Sequence, residues 1–189
     1  MKKLIYIISS IFISFNAVAH PHIWVYTDLG LNVKNKQITG LHVKWKFDEM
    51  YSAAFLADAD LNKDKRLDKY EAEKMQKQVL EKAVTYLTPF VMLKLGGKDV
   101  YGYKFDNLNI SYNEQSEQIE YEFDVVLHAP RQLIGNHKLA IMDREFYVGF
   151  EQSYDFALPS NCDFELIEDE TISIYEGMVH PEVYQLECK

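Results

Sequence analysis

Two histidines separated by one residue follow a signal-peptidase cleavage pattern. Ala17-Val18-Ala19 has the small-x-small sequence after which the peptidase cuts, and His20-Pro21-His22 comes next. Cleavage there gives His20 a free α-amino group in addition to its imidazole. These two donors can chelate one metal ion, and His22 can supply a third ligand. The junction therefore predicts a transition-metal site at the mature N-terminus.

Imidazole nitrogen suits zinc, nickel, cobalt and copper. Pro21 has no backbone N–H, which blocks the square-planar site that deprotonated amides form in other N-terminal X-X-His sequences. We expect Asp48 or Glu49 to complete a tetrahedral set, with His128 as a further candidate ligand. These residues also have structural interpretations, because acids favour the first turn of a helix and an exposed N-terminal segment can lack any function.

A second metal-type pattern occupies residues 60–71, which fit the twelve-residue EF-hand loop. Position six is Lys65, where glycine is usual. The left-handed backbone needed there costs a residue other than glycine about 1 kcal/mol. The pattern predicts calcium binding, and the alternative is a degenerate loop that keeps the turn and binds nothing. The predicted ligands, at positions one, three, five, seven, nine and twelve, are Asp60, Asn62, Asp64, Arg66, Asp68 and Glu71.

Composition limits the class of partner and the compartment. The net charge of −9 argues against nucleic acid and anionic membrane surfaces and suits a protein that handles cations. Lys2 and Lys3 precede an apolar run, residues 4–15, that is too short for a stable membrane anchor. We therefore expect a cleaved signal peptide, residues 1–19, and one periplasmic domain, residues 20–189, with no stable membrane insertion after cleavage.

The chain has two cysteines, Cys162 and Cys188. In an exported protein an even count predicts a disulfide, here joining the C-terminal tail to the segment near residue 162. Metal-binding thiolates are the alternative, which an oxidising compartment disfavours.

Hydrophobic periodicity predicts an α+β fold. Residues 22–33 and 38–47 indicate a β-hairpin, with Val25 opposite Trp45. A helix then starts near residue 47, and a second one, residues 69–88, ends at Pro89. Further strands are predicted at 91–95, 100–105, 108–112, 118–128, 137–142, 145–150 and 171–175. The sum is an antiparallel β-rich, sandwich-like domain with an EF-hand-like helix-loop-helix insertion, residues 48–88, after the first hairpin.

Several segments together resemble a known family. They are Ala19 to Val25, Trp45 to Ser52, the acidic loop through Glu71, and Asp143 to Val148. The family consists of bacterial periplasmic proteins labelled "ABC-type transport system, periplasmic component" and encoded beside NicO-type nickel/cobalt permeases. One branch, the Zev type, is implicated in zinc uptake. The resemblance implies a periplasmic metal-handling partner of an inner-membrane permease.

The sequence contains neither a G-x-S-x-G nucleophile motif nor a glycine-rich phosphate loop. We therefore expect a non-enzymatic zinc-binding protein that supplies or senses metal for the permease. One alternative is a copper-dependent redox enzyme that uses the N-terminal histidine chelate. Another is a calcium-stabilised interaction module in which the histidines are incidental.

Overall fold

The computed structural model describes residues 22–189. The expected signal peptide and His20 lie outside the described residues. The first two strands are β1 (Ile23–Lys34) and β2 (Gln37–Phe47), which form the expected antiparallel hairpin. Its turn is Asn35-Lys36, and both residues have positive φ, 52° and 58°, the geometry of a tight two-residue turn.

The register of this hairpin differs by two residues from the expected one. Val25 lies opposite Phe47 rather than Trp45, because the turn is short and an irregularity follows Asn32. A shift of two keeps every side chain on its expected face. At the irregularity Gly40 approaches β6 (Gln118–Gln132) so closely that a Cβ atom would lie 2.0 Å from the Val125 carbonyl oxygen. Glycine is required there.

Three helices follow the hairpin: α1 (Glu49–Ala59), α2 (Lys69–Glu81) and α3 (Ala83–Tyr86). The expected single helix over 69–88 is interrupted at Lys82, whose φ and ψ of −114° and 14° are not helical. Leu80 and Val84 are exposed, whereas Ala83 and Leu87 are buried. Pro89 lies in a short 3₁₀ helix, Thr88–Phe90.

The remaining strands complete two five-stranded sheets. They are β3 (Val91–Leu95), β4 (Lys98–Asp99), β5 (Tyr103–Asn113), β7 (Gly135–Ile141), β8 (Val148–Gln152), β9 (Cys162–Glu168) and β10 (Glu182–Cys188). The first sheet has the order β5-β6-β2-β1-β8 and the second the order β4-β3-β7-β10-β9. Pairing is antiparallel except between β1 and β8.

One buried cluster joins the two sheets. Val43, Trp45 and Phe123 come from the first sheet, and Leu139 and Tyr184 come from the second. The shared core and the largely antiparallel pairing agree with the expected α+β class. Within the described part of the chain, none of the helices has the length and apolar character needed to span a membrane.

Several expected strands are placed differently. Residues 103–113 form one strand with an irregularity at Asp106–Asn109, not two strands. The expected strands 137–142 and 145–150 do not pair with each other, because β8 pairs with β1 and β7 pairs with β3 and β10. Residues 171–175 do not form a strand, and the C-terminal hairpin of β9 and β10 takes the edge of the second sheet.

The expected disulfide is confirmed. Cys162 and Cys188 lie directly opposite each other on β9 and β10, with their Cα atoms 4.1 Å apart. The bond closes the last hairpin and ties the C-terminus to the sheet. It is consistent with an extracytoplasmic protein.

Candidate metal centre at the start of the first strand

His22 lies immediately before β1, and its main chain is fixed. The His22 backbone N–H donates to the Tyr147 carbonyl oxygen at 2.9 Å, and the two rings lie 4.9 Å apart between centroids. The imidazole remains exposed to solvent. A fixed backbone with an open imidazole is the arrangement that a surface metal ligand needs.

Asp48 links the start of β1 to the start of α1. Its Oδ2 accepts the Trp24 backbone N–H at 2.7 Å, and its Oδ1 accepts the Tyr51 N–H at 2.8 Å. The second bond makes Asp48 the N-cap of α1. The structural interpretation of this residue therefore holds, although each carboxylate oxygen keeps an unused lone pair.

The register places Asp48 opposite Trp24 rather than opposite His22. His22 is thus a diagonal neighbour of Asp48, at a separation of about 7–8 Å between such positions. Ser52 fixes the other side of this corner, because its buried hydroxyl donates to the Phe47 carbonyl oxygen and accepts the Ile119 N–H.

Glu49 points elsewhere. It lines a cavity of about 520 Å³ between α1 and the 60–68 loop, together with Asp60 and Asp64. Its side chain is exposed. The structure therefore associates Glu49 with the acidic loop, whereas Asp48 is the carboxylate tied to β1.

His128 does not lie with His22. His128 lies on β6, two residues after Val126. Val126 is opposite Gly40 on β2, and Gly40 is opposite Asn32 on β1. Asn32 is ten residues along β1 from His22, a distance of roughly 30 Å at about 3.4 Å per residue. His128 cannot share one metal ion with His22 in this fold.

The acidic loop joins α1 and α2 in a compact turn. The Asp60 carboxylate accepts the backbone N–H groups of Lys63, Asp64 and Lys65 at 2.6–3.2 Å. Lys65 has a φ of 64°, the left-handed conformation that position six of the motif requires. Asn62 and Asp64 also accept backbone N–H groups within the loop.

Glu71 closes the loop from the first turn of α2. It is 1% exposed, and its carboxylate accepts the N–H groups of Leu61, Asn62 and Asp68 at 2.7–3.3 Å. Asp68 caps α2 in return by accepting the Glu71 N–H. Arg66, whose carbonyl was expected at position seven, forms an ion pair with Glu114 at 3.3 Å.

The family described as "Protein of unknown function (DUF1007)" matches residues 5–178. The chain belongs to this family. A relative from Haemophilus influenzae, described as "Uncharacterized protein", is 32% identical over 175 residues, which are 87% of this chain and 82% of the relative. No solved structure matches the chain.

In this DUF1007 chain the residue that sequence reasoning missed is Tyr147. The Asp143 carboxylate shapes its turn by accepting the N–H groups of Glu145, Tyr147 and Val148 at 3.0 Å. Phe146 in the same turn has a φ of 55°. The signal was the segment Asp143 to Val148, but nothing in it indicates that β8 lies parallel to β1 and brings Tyr147 to His22.

The chemistry available at this corner of the DUF1007 fold is limited. Among residues 22–189, no group of three or more His, Cys, Asp and Glu side chains is arranged to hold a metal ion. A metal centre at His22 therefore needs donors from the preceding residues. His20, the expected donor there, lies outside the described range. Of the described residues, His22 and Asp48 are the ones best placed to take part.

Proposed function

We propose that the protein binds zinc in the periplasm and supplies or senses it for an inner-membrane permease of the NicO type. The observation that carries this proposal is that His22 combines a fixed main chain with an exposed imidazole. The protein acts as a carrier or sensor and not as an enzyme, and zinc is its cargo. Nickel, cobalt and copper suit the same donors.

The proposed ligands are the α-amine and imidazole of His20, which cleavage after Ala19 exposes, and the imidazole of His22. Three donors are close to the minimum for a protein zinc site. The free lone pairs of the Asp48 carboxylate can supply a fourth donor beside β1. Glu49 remains a weaker candidate because it lines the cavity beside the acidic loop.

Two further features support a cation-handling role in the periplasm. The chain carries 29 acidic and 20 basic residues, which favours the approach of cations. The Cys162–Cys188 disulfide suits an oxidising compartment. The resemblance to proteins encoded beside NicO-type permeases supports the choice of partner.

Zinc titration of the mature protein, starting at His20, tests this proposal. We expect His22→Ala to weaken zinc binding by about tenfold to a hundredfold, because one of few ligands is lost. His42→Ala is the matched control, since His42 is half-exposed and lies opposite Gly30, eight residues from His22. Equal affinity for the wild type and His22→Ala would reject the proposal.

The same titration separates the copper alternative. A redox enzyme should prefer copper and consume oxygen in the presence of a reductant such as ascorbate. A zinc carrier should show no such turnover with copper bound.

The acidic loop supports a second function, a calcium-stabilised module. Its side-chain donors are all oxygen atoms, which is the ligand type that calcium takes. Lys65 already adopts the left-handed backbone, so the departure from glycine leaves the loop geometry intact. We propose that residues 60–71 form an EF-hand-like calcium site. In this site the side-chain oxygen atoms of Asp60, Asn62, Asp64 and Glu71, which accept backbone N–H groups in the structure, bind calcium instead.

A further inference from the structure

A cavity of about 540 Å³ lies on the outer face of the second sheet. β3 supplies four of its lining residues, and the segment before β10, residues 169–173, supplies another four. Side chains alternate between the two faces of a strand. Leu93 of β3 packs in the core between the sheets, whereas its neighbour Met92 packs in a small separate cluster on the other face. The cavity is thus distinct from the corner that holds His22 and from the acidic loop.

Five charged side chains line this cavity, and four of them are matched in two pairs. Lys138 Nζ donates to Asp169 Oδ2 at 2.7 Å, and Asp169 is 4% exposed. Lys94 lies directly opposite Asp99 on β4, and opposite charges in this relationship stabilise a sheet. The fifth charged residue is Arg144. Three cations and two carboxylates therefore leave the lining with one unmatched positive charge, although the whole chain carries a net charge of −9.

Arg144 has a fixed main chain and an exposed side chain. Its carbonyl oxygen accepts the Tyr175 N–H at 2.9 Å, and two residues earlier the Met142 N–H donates to the Phe90 carbonyl oxygen at 2.9 Å. Within the described part of the chain, the guanidinium forms no ion pair. The adjacent Asp143 uses both carboxylate oxygens on the N–H groups of its own turn. The guanidinium is thus an uncommitted donor group at the cavity.

Apolar side chains and a hydroxyl group accompany Arg144 in the lining. Ile172 and Met92 pack against the same small cluster, which contains Met142. Ser173, next to Ile172, is exposed and contributes its hydroxyl group to the lining. A fixed cation beside an apolar surface suits a ligand that has an anionic end and an apolar body.

We propose that this cavity binds a small organic monocarboxylate, with the carboxylate on Arg144 and the apolar body against Met92 and Ile172. One negative charge balances the one unmatched positive charge of the lining. The guanidinium presents parallel N–H donors that match the two oxygens of a carboxylate. The volume of about 540 Å³ lies within the range of roughly 300–1,000 Å³ that small-molecule sites occupy. Neither the zinc nor the calcium proposal is needed for this site.

The test uses sodium hexanoate as the probe on the isotopically labelled mature protein, without zinc or calcium, and follows binding by NMR. We expect saturable shifts of the Arg144 side-chain Nε–H and of the backbone N–H groups of Ile172 and Ser173. Hexanamide has the same body without the charge, and acetate has the charge without the body. Each should bind about tenfold more weakly or worse, because one part of the interaction is missing.

Variants of one side chain make the result specific. Arg144→Gln should weaken hexanoate binding by about tenfold or more, and Arg144→Lys should weaken it less, because the charge remains but the parallel donors are lost. Arg131→Gln is the matched control, because Arg131 is an exposed arginine on β6 outside the cavity. Melting temperatures of all three variants should equal that of the wild type, since both arginines are exposed.

Three results would overturn the proposal. Equal weakening by Arg144→Gln and Arg131→Gln would mean non-specific attraction to the protein. Acetate or hexanamide that binds as tightly as hexanoate would remove the need for a charged ligand with an apolar body. An absence of saturable shifts in the wild type would show that the cavity does not bind the monocarboxylate.

Discussion

Trp24 and Asp48 form a reciprocal pair at the end of the first hairpin. The Trp24 N–H donates to Asp48 Oδ2 at 2.7 Å, and the Asp48 N–H donates to the Trp24 carbonyl oxygen at 2.9 Å. Because Asp48 also caps α1, one side chain sets both the direction of the helix and the position of the strand that follows His22. The position of His22, the proposed zinc ligand, therefore depends on Asp48, which also has a structural role as the cap of α1.

Replacing Asp48 with alanine should lower the stability of the protein by about 1–2 kcal/mol, through loss of the helix cap. It should also weaken zinc binding, because the strand end beside His22 loses its anchor. Thermal unfolding and zinc titration measure the two effects. Asp58→Asn, an exposed change within α1, is the control and should alter neither. A variant with unchanged stability would show that the cap contributes little.

Tyr147 should act on zinc through His22. Tyr147→Ala removes the ring that lies 4.9 Å from the imidazole but retains the carbonyl oxygen that holds the His22 main chain. We expect zinc affinity to fall by about tenfold, as for other residues that orient metal ligands. Tyr154→Ala is the control, because Tyr154 is 74% exposed. The same loss in both variants would argue against a positioning role.

An extra residue ahead of His20 distinguishes an N-terminal chelate from an ordinary pair of histidines. Both imidazoles remain, but the α-amine moves away from the chelating residue. We expect zinc affinity to fall nearly as much as in His20→Ala. Tight zinc binding by the extended protein would exclude the amine as a ligand and shift attention to His22 and Asp48.

The hairpin and the α1 corner could be predicted because their signals are local. Alternation identifies β1 and β2, and Asp48 precedes a helical stripe. The position of Tyr147 could not be predicted, since the parallel pairing of β1 with β8 joins segments more than a hundred residues apart. Such a crossover depends on core packing rather than on turn residues.

Two further differences between the expected and observed elements have other causes. The expected strands 91–95 and 100–105 leave four residues for the turn between them, but Gly96 and Gly97, both with positive φ, suffice to close the β3–β4 hairpin. The helix was expected to continue past Lys82 because its apolar spacing continues. Tertiary contacts instead bury Ala83, on the separate short helix α3, and Leu87, which follows that helix.

Asp169 should contribute to stability in a pH-dependent manner. Hydrogen bonds from Lys138 and Thr171 lower the pKa of this buried carboxyl to about 2. A lowered folded-state pKa stabilises the protein above the unfolded value of about 4, and this contribution is lost as the pH falls from there through about 2. Lys138 is partly exposed, so we expect only about 1–2 kcal/mol from the pair.

Urea unfolding of the wild type and of Asp169→Asn between pH 7 and pH 2 measures this contribution. The difference in unfolding free energy should be largest at neutral pH and shrink with acidification. Asp163→Asn, an exposed change on β9, should show no such trend. A constant difference between wild type and Asp169→Asn at every pH would contradict the prediction.

The last prediction concerns Glu71. Glu71→Gln removes the charge from a side chain that is 1% exposed and accepts three backbone N–H groups, so it should lower stability by about 1–3 kcal/mol even without calcium. Millimolar calcium should raise the melting temperature of the wild type and not of the variant, because a glutamate at position twelve is the bidentate ligand of such loops. Zinc binding at His22 should persist in the variant. Glu73→Gln, on the exposed face of α2, is the control and should keep the calcium response. If calcium leaves the wild-type melting temperature unchanged, the loop serves only to join α1 and α2.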